Sequence, residues 1–200
     1  MRKIKYIMLF IPILLLYCCN INLKFKEEDL KWIEVYQLQD QLVFKSSLKY
    51  DTITISKIKI GNGKSDLMES SYNEIYGNIY YKQLNSEKEE FIISLGRLYP
   101  QQPTSATFNF KGDYGRINDI HNYSKSELIF NGEKRKGYMF KPYSKDKPSF
   151  WWDEEYGVEN ANLKYFFWDI EYGIIQYETV EGEVFVLEEF IQDGKNILKF

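Results

Sequence analysis

The stretch IIQYETVEGEVFVLEEFI (Ile174–Ile191) decides the fold class. Two runs rich in Ile, Val, Tyr, Phe and Thr alternate with polar residues, as half-buried strands do. Between them lies Glu181-Gly182, a short turn signal. The pattern is that of an antiparallel hairpin. A two-residue loop puts Ile175, Tyr177, Val184 and Val186 on one face.

The same grammar extends outward from this hairpin. Ser105 to Lys111 alternates, with Ala106, Phe108 and Phe110 facing inward. Leu128–Phe130 and Tyr138–Phe140 flank Asn131-Gly132, a strong hairpin signal. Ile75–Leu84 and Glu90–Leu98 flank a polar loop at Asn85 to Lys88. Trp32–Gln37 and Gln41–Phe44 flank Gln39-Asp40, a further hairpin. Asp51 to Ile60 alternates until Ser56-Lys57, where the apolar parity switches, the mark of a bulge. Gly61-Asn62-Gly63 predicts the end of that strand.

Composition agrees. The chain is 18% aromatic, and its 17 Tyr and 14 Phe favour strands. Alanine, the best helix former, occurs only at Ala106 and Ala161. The expected fold is mainly β: a single curved antiparallel meander closing toward a half-barrel or barrel. At most one or two short helices are expected, the candidates being Glu27–Tyr36 and Ser65–Ser71.

The N-terminus reads differently. Arg2, Lys3 and Lys5 precede an uncharged run from Tyr6 to Leu23, whose apolar part ends near Tyr17. Pro12, Asn20 and Asn22 make the run too short and too polar to span a bilayer comfortably. Its order of charge, apolar core and cysteine is that of a secretory signal. Leu16-Tyr17-Cys18-Cys19 resembles a bacterial lipobox, with Cys19 as the lipid acceptor and Leu16 three residues before it. Cys18 is the alternative acceptor, but it puts bulky Tyr17 at the cleavage site. Tyr17 departs from the strict pattern and resembles the looser lipoboxes of Bacteroidetes-type bacteria. The resemblance implies a signal peptide over 1–18, a lipidated tether over 19–26 and a β-rich domain over 27–200. Lys26-Glu27-Glu28-Asp29 resembles a surface-export signal, and reads more plainly as a charge run opening the domain.

Processing before Cys19 lowers Lys+Arg from 26 to 23 against 29 Asp+Glu, moving the net charge from −3 to −6. An acidic chain is a poor partner for nucleic acid, which needs a basic surface. The mature domain keeps no free thiol, so neither disulfide nor thiol chemistry is expected.

Trp32-x-x-x-Tyr36, LVFKS (Leu42–Ser46), YDTITI (Tyr50–Ile55) and DIEYGIIQYETVEGEVFVL (Asp169–Leu187) together resemble a family of small lipoproteins of Bacteroidetes-type bacteria. The resemblance lies at the two ends of the chain. It implies lipid anchoring at the outer membrane, in either leaflet, and brings no activity with it.

Candidate chemistry is sparse. FWWDEEYGV (Phe150–Val158) is echoed by FFWDIEYGI (Phe166–Ile174), identical at six of nine positions. Trp151, Trp152, Trp168 and Tyr172 are the candidate ligand surface, for stacking on sugar faces. Asp153, Glu155, Asp169 and Glu171 are the candidate carboxylates for a glycosidase pair. Alternation on a strand sends Trp168 and the carboxylates to opposite sides, which suits a half-buried strand better than a sugar site. A hairpin centred on Asn160 sets Trp152 opposite Trp168. His121 is the only histidine; with Asp119 it makes a weak acid–base pair, and alone it makes no zinc site. Thr52, in Asp51-Thr52-Ile53, matches a bacterial O-glycosylation pattern. No metal and no cofactor are expected. The expected function is a non-enzymatic binding or structural module, anchored to the lipid bilayer, with a protein or glycan partner. Carbohydrate or small-ligand binding, and toxin immunity or inhibition, are the alternatives.

Overall fold

The computed structural model describes residues 23–67, 70–84, 86–99, 101–142 and 162–198. Helix α1 (Glu27–Glu34) precedes strands β1 (Gln41–Lys45), β2 (Tyr50–Leu67), β3 (Ser70–Gln83), β4 (Glu89–Arg97), β5 (Ser105–Phe110) and β6 (Asp113–Ile117). Then come β7 (Ser126–Phe130), β8 (Glu133–Phe140), β9 (Leu163–Asp169), β10 (Gly173–Thr179), β11 (Val184–Gln192) and the short β12 (Lys195–Asn196).

All pair antiparallel in one sheet, in the order β6-β5-β4-β3-β2-β1-β11-β10-β9-β8-β7, with β12 beside β11. Two meanders, β1 to β6 and β7 to β11, are thus joined where β1 meets β11. The sheet curls into a half-barrel. Its concave face is aromatic. Phe108 of β5 meets Phe140 of β8 at a ring separation of 4.0 Å and Phe166 of β9 at 5.5 Å. Phe110 meets Tyr177 of β10 at 5.4 Å. The first meander therefore packs across the interior on the second, each buried ring adding about 1.5–3 kcal/mol of transfer free energy.

Helix α1 fills one end of the half-barrel, the helix end. Trp32, Ile33 and Tyr36 are buried and spaced one and four apart, a helical face. Trp32 stacks on Trp168 at 5.9 Å and lies 4.7 Å from the Tyr138 ring. Asp29, at the third helical position, accepts the Lys26 backbone N–H at 2.9 Å and closes the first turn. The expected Trp32–Gln37 strand is therefore helix over its first half, because its apolar residues serve a 3.6-residue period.

The opposite, turn end carries the β1–β2, β3–β4, β5–β6 and β10–β11 turns. Among the described residues no ladder joins β6 to β7. Residues 118–125 cross that seam, with Ile120 buried and Tyr123 stacked on Phe140 at 5.4 Å.

Several expectations hold in detail. The parity switch in β2 is a register shift between Ile55 and Lys57. Asn131 (φ 51°) and Gly132 (φ 80°) form the two-residue β7–β8 turn. β5 buries Ala106, Phe108 and Phe110.

Others are corrected. Gly61-Asn62-Gly63 does not end β2, which pairs with β3 as far as Leu67 opposite Ser70. Tyr76 lies over both glycines: a Cβ on Gly61 would sit 3.0 Å from its hydroxyl, and one on Gly63 3.3 Å from its ring. The aromatic ring covers the backbone that glycine leaves bare. The helix expected over Ser65–Ser71 is accordingly strand at Ser65–Leu67 and Ser70–Ser71. In the last hairpin Glu178 pairs with Val184, so the loop is longer than two residues. The register moves by one and turns Val184 and Val186 outward, while Tyr177 stacks inward on Phe185 at 4.7 Å.

Candidate functional site

The expected ligand surface divides. Trp151 and Trp152 lie outside the described residues, as do Asp153, Glu155, Cys18 and Cys19. Trp168 is 0% exposed and Tyr172 is buried. Both belong to the core, so neither offers a face to a sugar. Trp168 pairs with Tyr138 on one side and Ile174 on the other. Both ladder positions beside Trp168 are thus filled by described residues, and the expected partner Trp152 lies outside them. The Trp168 Nε1 is buried with no hydrogen-bond acceptor among the described residues.

The acidic half of WDIEYG builds a turn instead of a catalytic pair. Asp169 Oδ1 accepts the N–H of Glu171 at 2.8 Å and of Tyr172 at 3.1 Å. Gly173 follows with φ 70°. A Cβ there would fall 2.0 Å from the Tyr36 hydroxyl oxygen. That oxygen accepts the Ile174 N–H at 2.8 Å. The Tyr-Gly of the motif is thus the receptor for Tyr36 on the far side of the chain. Glu171 turns outward to Arg135 at 2.8 Å.

His121 does not use Asp119 through its ring. Its Nε2 lies 2.8 Å from Oδ1 of Asp29, which is fully buried on α1. The other Asp29 oxygen accepts the Thr104 hydroxyl at 2.9 Å. Asp119 accepts the backbone N–H of His121 at 2.9 Å and the Asn122 amide at 2.6 Å, shaping the loop. The histidine therefore clasps the seam loop to the helix. The Lys26–Asp29 charge run is the first turn of α1, and its last carboxylate belongs to this clasp.

At the turn end a second polar cluster closes the half-barrel. Tyr177 donates to Asp51, and Lys111 Nζ meets the same carboxylate at 2.6 Å. Tyr81 accepts the Lys111 N–H at 2.7 Å and donates to Glu90 at 3.0 Å. Lys88 pairs with Glu90. Burial pushes both tyrosine hydroxyls well above the usual range, and Asp51 beside Tyr177 and Glu90 beside Tyr81 push further the same way. Asp113 is also raised by burial, against the pull of the Asn162 and Leu163 N–H groups. Tyr81, Ser86, Lys88, Glu90, Lys111 and Asn162 border a hollow of about 310 Å³ here. Asp51 and Glu90 each have a lysine beside them and Asp113 has backbone N–H donors, so the cluster works as a polar lid on an aromatic core.

A wider, shallower hollow of about 530 Å³ lies between Lys45, Val186 and Glu188 and the β7–β8 turn at Asn131. Among the described residues no three His, Cys, Asp or Glu side chains converge as metal ligands. Thr52 sits half-buried on β2, opposite Val43, and faces away from the core side occupied by Ile53.

Sequence reading missed Tyr177, Tyr81, Asp51 and Lys111 as a group. Their one signal is a Tyr at an inward position close to a turn, where its polar tip needs a partner. The chain matches no family model, no curated protein and no solved structure.

Proposed function

We propose that this chain is a lipoprotein, acylated at Cys19 and held on an outer membrane. Its half-barrel serves as a binding module without catalysis, for a protein or glycan partner and with no cofactor. The order of basic residues, apolar run and Leu16–Cys19 supports the anchor. One geometric observation carries the arrangement. Leu23 is already buried, and Phe25 packs against Ile33's neighbour Gly77 at the helix end. Only Asn20 to Asn22 separate Cys19 from that packing, a reach of about 14 Å when extended. The helix end then lies next to the bilayer and the turn end faces away from it.

Metabolic labelling with an alkyne fatty acid tests the anchor. Cys19→Ala is expected to lose label and leave the membrane fraction, while Cys18→Ala keeps both. Persistent labelling of the Cys19→Ala chain would overturn the reading.

A further inference from the structure

We infer that the turn-end hollow is a binding site for a neutral, hydroxyl-rich ligand, a single sugar unit; this rests on the binding-module reading above and names its site and ligand class. Several segments meet there. Tyr81 and Gln83 end β3, Ser86 and Lys88 belong to the β3–β4 turn, and Glu90 follows on β4. Lys111-Gly112 is the β5–β6 turn. Asn162 comes from the other meander, where its carbonyl accepts the Val180 N–H at 3.0 Å. The hollow thus opens between the two meanders at the mouth of the half-barrel, a position where barrels hold small ligands. Its volume of about 310 Å³ equals that of about ten waters, room for one pyranose ring and its hydroxyls.

The lining selects the ligand. Its charges are spent on one another. Lys88 meets one oxygen of Glu90 at 2.5 Å, and the other oxygen accepts the Tyr81 hydroxyl at 3.0 Å. Lys111 meets Asp51 at 2.6 Å. Glu87, in the same turn as Ser86, is exposed and does not border the hollow. A charged ligand therefore finds no free counter-charge there. The neutral groups are not spent. Gln83 pairs in register with buried Ile53, so it lies on the inner face, and its half-buried amide bonds to no described residue. Asn162 donates its Nδ2 to the Lys111 carbonyl at 3.0 Å and keeps its Oδ1. Ser86 Oγ accepts the Lys88 N–H at 3.2 Å and keeps its own proton. Amides and a hydroxyl with donors and acceptors to spare match sugar hydroxyls, which donate and accept together. The aromatic core beneath is sealed: Tyr81 and Tyr177 are each 1% exposed, so a fatty or aromatic ligand finds no ring face. Without an open ring to stack on, the expected Kd is weak, on the order of 1 mM.

The test uses the isotope-labelled full chain in a detergent without sugar head groups, followed by NMR. It is titrated with methyl glucoside, methyl galactoside and methyl mannoside, and with glucuronate and glucosamine as charged counterparts. At least one neutral glycoside should give saturable shifts that include the Gln83 side-chain amide. The charged sugars should bind about tenfold or more weakly. Each glycoside is run beside the corresponding trisaccharide: tighter binding of the trisaccharide identifies the end of a glycan, and equal binding a free sugar, both at this site. Gln83→Leu removes the unspent amide and should weaken the neutral sugar about tenfold. Gln83→Glu keeps the shape and adds an unmatched charge. It should weaken the neutral sugar and draw in cationic glucosamine, which keeps the test decisive if the leucine variant does not fold. The inference falls if no neutral glycoside saturates, if the Gln83 amide does not move, if charged and neutral sugars bind alike, or if both Gln83 variants bind as the parent does. Failure here leaves the Cys19 anchor and a protein-binding half-barrel standing. Failure of the Cys19 labelling leaves the titration standing, because the hollow needs no membrane.

Discussion

The two ends of the half-barrel are closed by opposite means. At the helix end Trp32, Tyr36, Trp168 and Phe190 pack ring against ring, and Asp29, His121 and Thr104 form the polar clasp beside them. At the turn end Asp51, Lys111, Glu90 and Lys88 are matched charge for charge around two tyrosine hydroxyls. The first closure depends on shape and on area removed from water, and the second on charges in partly wet surroundings. The contrast explains why the aromatic residues of the chain's most conspicuous motif, Trp168 and Tyr172 of WDIEYG, are internal. They face the closure that works by packing.

The largest expected difference comes from Trp168→Ala. It empties the centre of the helix end and should cost about 3–5 kcal/mol in urea unfolding. A loss below about 1 kcal/mol would break the claim that packing closes this end.

Alkaline unfolding should be nearly as large. Tyr36, Tyr81 and Tyr177 all have hydroxyls raised above their ordinary value, chiefly by burial. A raised folded value leaves stability intact below the unfolded tyrosine pKa, about 10, and removes it as the pH rises further. Each group contributes about 1.4 kcal/mol of loss per pH unit there. Phenolate absorbance and circular dichroism should change together. Tyr177→Phe should shallow the slope by one group's share.

Gly173→Ala places a methyl on the Tyr36 hydroxyl and forces a left-handed conformation on alanine. The expected cost is about 2–4 kcal/mol, from the strained backbone and the lost buried bond to Ile174. Tyr36→Phe, which removes only that acceptor, should cost less. Equal losses would mean that the backbone of Gly173 carries no strain.

His121→Ala leaves buried Asp29 with one polar partner fewer, an effect of about 1–3 kcal/mol, and should speed amide exchange in residues 118–125. The smallest effect belongs to the turn end. Lys111→Met should cost about 1–2 kcal/mol: the pair is largely covered, but Asp51 keeps the Tyr177 hydroxyl as a partner. Salt should shrink the Lys111 effect and leave the Trp168 effect untouched. The reverse pattern would invert the comparison.

Much of the fold was readable from residues in a row. Alternation located β5, the β7–β8 turn and the bulge in β2, because strand period and turn chemistry are local properties. The errors share a cause. Gly61 and Gly63 looked like a stop until Tyr76, on the next strand, covered them. Trp32 to Tyr36 was legible both as strand and as the end of a helix over Glu27–Tyr36, because five residues sample both periods; the helix is what forms. The last hairpin was right in kind and wrong by one in register, which reversed Val184 and Val186. Of the candidate site, Trp168 and Tyr172 were expected on a ligand surface, and the fold buries both in the core. An aromatic beside a carboxylate reads the same whether it awaits a sugar or the ring of Trp32.

Local order of residue types was enough for a β-rich antiparallel meander, and for the expectation of a lipidated cysteine before it. Those depend on neighbours within a few residues. That β1 would join β11, that α1 would sit inside, and that Asp29 would meet His121 depended on partners dozens of residues away. Contacts of that range are set by which surfaces fit once the chain has curled, and no short stretch carries them.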